Sequence, residues 1–73
     1  MTIIDRLLAE AHAMTPEKGS QWAYTDIDGD RLAVNITNYN GGDGQQKKIN
    51  TRTVWAYRGK SISIESLRKA NIN

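Results

Sequence analysis

The spacing of apolar residues changes once along this chain, and that change limits the folds that the chain can adopt. Between Ile3 and Met14 apolar residues recur every three or four positions, which is typical of an amphipathic helix. From Ser20 onward the spacing is two, which is typical of β-strands. Thr2 can cap the helix, and Pro16 should end it near Met14 because the residue before a proline avoids the helical conformation. One helix is therefore expected to precede a sheet.

The first two strands are expected to form a hairpin. They are predicted at residues 20–27 and 31–39, and the Asp28-Gly29 dipeptide between them favours a tight turn. Apolar residues at Leu32 and Val34 mark the buried face of the second strand.

The register of this hairpin decides which side chains of the first strand enter the core. A loop with an even number of residues would place Ala23 and Ile27 on the same face as Leu32, whereas an odd number would place Trp22 and Tyr24 there. The sequence leaves both alternatives open and does not fix the face on which Trp22 lies.

The last strand is expected within residues 47–63, the longest run rich in β-branched and aromatic residues. Near its end, residues 61–64 alternate like a short strand or an extended turn. Ser63 can then cap a short helix from residue 65 to about residue 70.

These elements predict one small α+β domain over residues 1–73. Its N-terminal amphipathic helix would pack on a three-stranded antiparallel meander, followed by the short C-terminal helix. The chain has no cysteine, so a disulfide cannot support a core that is close to the lower size limit for independent folding. The residues expected between the first helix and the sheet are Leu7, Leu8, Leu32, Val34 and Ile36.

The charge of the chain is unevenly distributed, although the net charge is only +2. Residues 1–46 contain three basic and seven acidic residues, a net charge of −4, and residues 47–73 contain seven basic residues and one acidic residue, a net charge of +6. This asymmetry indicates an acidic partner for the second half. The alternative is that the two halves neutralise each other within the fold.

Catalysis and metal binding are not expected. The segment from Asp26 to Asp30 matches the first positions of an EF-hand calcium loop, but Arg31 stands where that loop requires glycine and Thr37 where it requires glutamate. His12 is the only histidine, which excludes a zinc site or a Cys-His nucleophile in a chain without cysteine. The glycine-rich residues 41–44 lack the lysine of a phosphate-binding loop, and no cofactor is expected.

Aromatic and basic residues together are the remaining candidates for function. Trp, Tyr and Arg contribute most of the energetically dominant contacts in protein interfaces, and a sheet bearing them can also stack the bases of a single-stranded nucleic acid. In the alternative interpretation, the tryptophans complete a core that is poor in aliphatic residues. The predicted partner-binding residues are Lys47, Lys48, Arg52, Trp55, Tyr57, Arg58 and Lys60.

The expected function is that of a small non-enzymatic binding protein that regulates or inhibits a larger macromolecular complex. Its partner would be an acidic protein surface or a nucleoprotein complex, and the alternative is direct binding of DNA or RNA by the basic half. Small accessory proteins of this kind are typical of phages and mobile elements, for example as inhibitors of a host defence complex. The N-terminal segment is neither a signal peptide nor a membrane span, so no membrane partner and a cytoplasmic location are expected.

Overall fold

A computed structural model describes residues 2–41 and 48–70 of the chain. They form an α+β fold in which an N-terminal helix is followed by an antiparallel sheet and a short C-terminal helix. The elements are α1 (Ile3–Met14), β1 (Gly19–Ile27), β2 (Asp30–Asn40), β3 (Ile49–Tyr57), β4 (Lys60–Ile62) and α2 (Ile64–Lys69). Neither helix in the described ranges is long and apolar enough to cross a membrane.

Local signals fix both ends of α1 where the sequence predicts them. The Thr2 hydroxyl oxygen accepts a hydrogen bond from the Asp5 N–H at 3.1 Å, which satisfies one of the free donors of the first turn. Hydrogen bonding to Thr2 also lowers the pKa of the Asp5 carboxyl. At the other end Thr15 is extended, with ψ 127°, as expected for a residue that precedes a proline.

The sheet has four strands in the order β1-β2-β3-β4, one more than the three-stranded meander predicted. The additional strand arises because Arg58 and Gly59 form a tight turn within the predicted last strand, with φ values of 55° and 78°. This turn pairs Tyr57 with Lys60 and so separates β3 from the three-residue β4. Glycine, asparagine and aspartate are the residues that most often adopt positive φ in tight turns, so an arginine at such a position does not indicate a hairpin.

The first hairpin settles the register that the sequence left open. Asp28 and Gly29 form a two-residue turn with φ values of 50° and 89°, so Ile27 pairs with Asp30. Continuing this pairing along the strands places Ala23 opposite Val34. An even loop is therefore correct, and Ala23 enters the core while Trp22 does not.

The core lies between this face of the sheet and the two helices. Leu7, Leu32, Val34 and Ile36 are buried as predicted, and Leu8 is partly buried beside them. Leu67 of α2 joins the same cluster, so both helices bury apolar residues on one side of the sheet. The result is a two-layer arrangement of helices on a sheet.

Substitution of Gly29 tests the backbone conformation of this turn. Its position has φ +89°, and a Cβ added there would meet no heavy atom within 4 Å, so any cost of substitution comes from the backbone conformation alone. We expect Gly29→Val to lower the free energy of unfolding by about 1–3 kcal/mol, measured by chemical denaturation. Gly29→Asn is the matched control and should cost less, because asparagine tolerates positive φ. An equal loss for both variants would contradict this account.

The same hairpin contains the aspartates that match the start of a calcium-binding loop. The aspartates that match the start of an EF-hand loop lie in a strand–turn–strand hairpin, so the flanking helices of such a loop are replaced by β1 and β2. We expect calcium at about 1 mM to leave the melting temperature of the protein unchanged. A rise in melting temperature that Asp26→Ala abolishes would show that this turn binds the ion.

Candidate functional site

The two faces of the sheet differ in what covers them. The helices pack against the face that carries Ala23, Val34 and Trp55, and among the described residues no helix buries side chains against the opposite face. We call this second surface the open face. Its residues come from alternate positions of the first three strands: Ser20, Trp22, Tyr24, Asp26, Arg31, Ala33, Asn35, Thr37, Tyr39, Asn50, Arg52, Val54 and Ala56.

An aromatic pair dominates the open face. The rings of Trp22 and Tyr24 lie side by side, with centroids 6.2 Å apart and planes 18° apart, and the guanidinium carbon of Arg31 lies 5.3 Å from the Tyr24 centroid. The two aromatic residues remain 42% and 55% exposed. Large aromatic residues bury most of their area in folded proteins, so two neighbouring exposed rings mark this surface as a candidate interface.

The residues beneath the aromatic pair are small and buried. Tyr24 lies opposite Ala33 and Trp22 lies opposite Asn35 on β2. Ala33 and Asn35 are both buried, although no described helix covers this face. Since cross-strand neighbours cover one another in a sheet, the rings and the adjacent strands shield these two positions. The aromatic pair therefore rests on a closed surface.

Hydrogen bonds hold this part of the sheet in place. The Asn35 amide nitrogen donates to the Ser20 hydroxyl oxygen at 2.6 Å and to the Gln21 carbonyl at 3.2 Å. The Asn35 side-chain oxygen accepts from the Thr37 hydroxyl at 2.8 Å. A buried amide with partners on both of its atoms stabilises a single arrangement, because any other arrangement would leave a buried polar group without a partner. The strands beneath Trp22 are thus held in one arrangement.

The predicted site residues do not share one surface. Arg52 is exposed on the open face, where it pairs with Thr37, whereas Tyr57 is half-buried at the edge of the core on the helix face. Lys48 and Lys60 are exposed, the first just before β3 and the second at the start of β4. Lys47 lies outside the described residues.

Trp55 occupies a different environment from the other predicted residues. It is only 5% exposed and belongs to the hydrophobic core, where it lies opposite Val34. The side chain therefore does not face solvent, and it serves the fold. For Trp55 this outcome agrees with the alternative in which the tryptophans complete a core that is poor in aliphatic residues, whereas Trp22 lies outside the core.

Arg58 is engaged within the molecule. Its Nε donates to the Asp30 carboxylate at 3.0 Å, and its guanidinium carbon lies 5.2 Å from the Tyr57 centroid. The hydrogen bond to Asp30 raises the pKa of Arg58 above its ordinary value. Both partners are substantially exposed, so the pair contributes little to stability. It does reduce the charge that Arg58 can offer to a partner.

Part of the charge asymmetry is therefore neutralised inside the fold. The ion pairs found within the described ranges are Asp30 with Arg58 and Asp5 with Arg68, the latter at 3.7 Å. Each joins an acidic residue of the first half of the chain to a basic residue of the second half. Arg52 takes part in neither pair, and among the predicted basic residues that lie within a strand it is the one on the open face.

Trp22, Tyr24 and Arg31 are not among the predicted partner-binding residues, although they lie together on the open face. A usable signal was present in the Asp28-Gly29 dipeptide, which strongly favours a two-residue turn. Such a turn fixes the even register and moves Trp22 and Tyr24 to the face opposite the core.

Comparison of the chain with protein-family models, with curated proteins and with solved structures found no match. The described residues contain no group of three histidine, cysteine, aspartate or glutamate side chains that could hold a metal ion. The open face, with its exposed aromatic pair and its two arginines, is the surface from which a function can be argued.

Proposed function

We propose that this chain is a non-enzymatic binding protein that regulates or inhibits a larger macromolecular complex, and that it binds through the open face of its sheet. The observation that carries this proposal is the exposed, stacked pair of Trp22 and Tyr24 on a closed surface. Tryptophan, tyrosine and arginine dominate the binding energy of protein interfaces because they combine apolar area with hydrogen-bonding groups. All three residue types lie within this surface.

The rigidity of the surface supports the same function. Side chains that are ordered before binding lose less conformational entropy when a partner arrives. Asn35 and Thr37 fix the strands below the aromatic pair, and Arg31 lies against the Tyr24 ring. A partner with a complementary apolar patch and an acidic rim would bury both rings and contact the two arginines.

Binding of single-stranded nucleic acid is the second candidate. The aromatic pair beside Arg31 favours it, because bases stack on such rings and phosphates bind arginine. The distribution of the other basic residues favours a protein partner. Lys60 lies opposite Tyr57, on the helix face of the sheet, and Lys69 lies on α2. These two lysines therefore do not extend the arginines of the open face into a basic stripe that could follow a phosphate backbone.

Salt dependence separates the two candidates. Once affinity purification from the native host has identified the partner, its affinity for the chain can be measured over a series of salt concentrations. We expect affinity to change weakly with salt, as for an interface dominated by apolar contacts. A steep linear fall of log affinity with log salt concentration would instead show that several phosphates are neutralised, and would favour nucleic acid.

Substitution of the aromatic pair tests the surface itself. We expect Trp22→Ala with Tyr24→Ala to weaken partner binding by about 2 kcal/mol or more, because both rings would be buried in the complex. Met14→Ala is the matched control, since Met14 is also exposed but ends α1 in the helix layer. Titration should be accompanied by a thermal melt of each variant. Full binding by the folded double variant would show that the working surface lies elsewhere.

Charge reversal at Arg52 is an independent test. We expect Arg52→Glu to weaken binding by about 2 kcal/mol while the thermal melt stays unchanged, because the guanidinium group is exposed and belongs to neither ion pair described above. Lys69→Glu is the control, since it makes the same change of charge on α2. Equal losses for the two variants would indicate an effect of net charge alone and would contradict a role for Arg52 in contact.

A specific form of this proposal is a phage or mobile-element inhibitor of a host defence complex. The small size of the domain supports it, since such inhibitors act by occupying one surface of a larger machine. Identification of the partner by affinity purification tests this form directly.

A further inference from the structure

A second surface of the sheet, which shares Arg52 with the open face but not the aromatic pair, has the features of a strand-binding edge. β3 spans nine residues, but β4 pairs only with its last three, Trp55 to Tyr57. The chain then turns away into α2 at Ser63. Within the described ranges, no strand therefore lies beside the first part of β3, on the side opposite β2.

The pairing pattern shows which backbone groups point toward this free edge. The Gly41 N–H donates to the Lys48 carbonyl at 2.9 Å, so the even-numbered positions direct their backbone groups toward β2. Successive residues of an antiparallel strand direct these groups to opposite sides. Ile49, Thr51 and Thr53 therefore present their N–H and C=O groups to the free edge. A row of such groups is a template for an added strand.

The helix face is largely apolar at the end of this edge that adjoins β4. A groove that begins at Thr53 is lined by the apolar residues Leu8, Trp55, Ile62 and Ile64, together with Ser61 and Ser63. Except for Trp55, these apolar residues are only partly buried, so part of their surface remains available. An added strand would direct every second side chain to the helix face, and the one opposite Thr53 would reach this groove. That side chain should be apolar.

The opposite side of the same edge is basic. Arg52 and Lys48 are exposed and lie four residues apart, with no acidic partner among the described residues. Side chains of an added strand that point to this side would lie next to Arg52 and, four residues on, next to Lys48. Acidic residues there would be favourable. A second copy of β3 would instead bring like charges together, which destabilises a strand pair.

We infer that the free edge of β3 binds an extended peptide segment of a partner protein in which apolar and acidic residues alternate. The segment adds a strand beside residues 49–53, in line with β4. Its backbone bonds to Thr51 and Thr53, and its acidic side chains face Arg52 and Lys48. Its apolar side chains lie on the helix face, where the one opposite Thr53 enters the groove. This interaction is distinct from binding through Trp22 and Tyr24, which lie on β1 at the other end of the strand order.

The experiment uses the full chain and a synthetic peptide of about seven residues in which valine alternates with glutamate. Binding is measured by titration, and amide hydrogen exchange is followed by NMR. We expect protection of the Thr51 and Thr53 amides when the peptide is added, with no protection at the outer edge of β1. A matched peptide with lysine in place of glutamate should bind about tenfold more weakly or worse.

Removal of backbone donors provides the decisive controls. Thr53→Pro deletes the N–H that faces the free edge but keeps the bonds of β3 to β2, and it should reduce binding at least about tenfold. If that variant fails to fold, the wild-type protein is titrated instead with the valine–glutamate peptide N-methylated at alternate residues. The same loss of affinity is then expected. The Trp22→Ala, Tyr24→Ala double variant should bind the peptide normally, which separates this edge from the open face.

Several results would overturn the inference. Equal or tighter binding of the lysine peptide would contradict the acidic partner, and normal binding of the N-methylated peptide would contradict strand addition. Protection confined to β1 would show that the peptide binds the outer edge of β1 and not the free edge of β3. Protection of Thr51 and Thr53 without peptide, increasing with protein concentration, would show that the occupant is a second copy of the chain.

Discussion

Replacing Trp55 with alanine is expected to lower the free energy of unfolding by about 3–5 kcal/mol, the usual cost of deleting a large aromatic side chain from a core. Trp55 is almost fully buried and lies opposite Val34. In a domain whose total stability is about 5–10 kcal/mol, such a loss removes a large fraction of it. Urea denaturation followed by circular dichroism measures the effect.

Trp22→Ala is the matched control for this prediction. The same side chain is deleted from the same tripeptide sequence, Trp-Ala-Tyr, but on the open face. We expect a loss of about 1 kcal/mol or less, because Trp22 is partly exposed and leaves no closed cavity when it is removed. Equal losses for the two variants would contradict the register of the first hairpin, and a larger loss for Trp22→Ala would reverse the two faces.

Leu7→Ala is expected to cost about 1–4 kcal/mol, because it opens a cavity between α1 and the sheet. Leu7 is buried, whereas its neighbour Leu8 is only partly buried at the margin of the core. Leu8→Ala therefore deletes the same atoms from the same helix and should cost less. Chemical denaturation of both variants, with the parent chain alongside, measures the difference.

The outcome of that comparison tests the two-layer packing directly. If Leu7→Ala is as stable as the parent within experimental error, α1 does not pack on the sheet as described. If Leu8→Ala is the more costly of the two, the helix is rotated about its axis relative to this structure.

The elements that the sequence predicts correctly are those with local signals at their ends. Thr2 and Ser63 cap the two helices, Pro16 follows the end of the first, and Asp28-Gly29 forms the first turn. Each of these residues has a conformational preference that acts over a few positions, so the surrounding chain hardly changes its effect. The α+β class follows from the order of these elements.

The fourth strand is left open in the sequence, between a short strand and an extended turn, because its signals are weak. β4 has only three residues, and its turn places Arg58 at positive φ. The turn forms because Tyr57 and Lys60 pair across it and Ile62 reaches the edge of the core. These are tertiary effects, which a single sequence does not display.

The candidate site was predicted only in part for a related reason. Arg52 was identified by its charge and its position on a strand, and it lies on the open face. Whether a given aromatic residue faces the core or solvent depends on register, and a shift of one residue reverses every side chain. Arg58 was predicted from its charge alone, and its interaction with Asp30 is visible only in three dimensions.

The two Trp-Ala-Tyr tripeptides direct their aromatic side chains to opposite faces of the sheet, and this affects which pairing of β1 can form. In β1 the alanine points inward, and in β3 the tryptophan and tyrosine do. A slip of β1 by one residue would drive an indole or a phenol ring into the space that Ala23 fills, beneath α1, where Ala11 is also fully buried. The helix would then be forced away from the sheet. Docking of α1 therefore favours, by excluded volume, the same pairing of β1 that the Asp28-Gly29 turn sets.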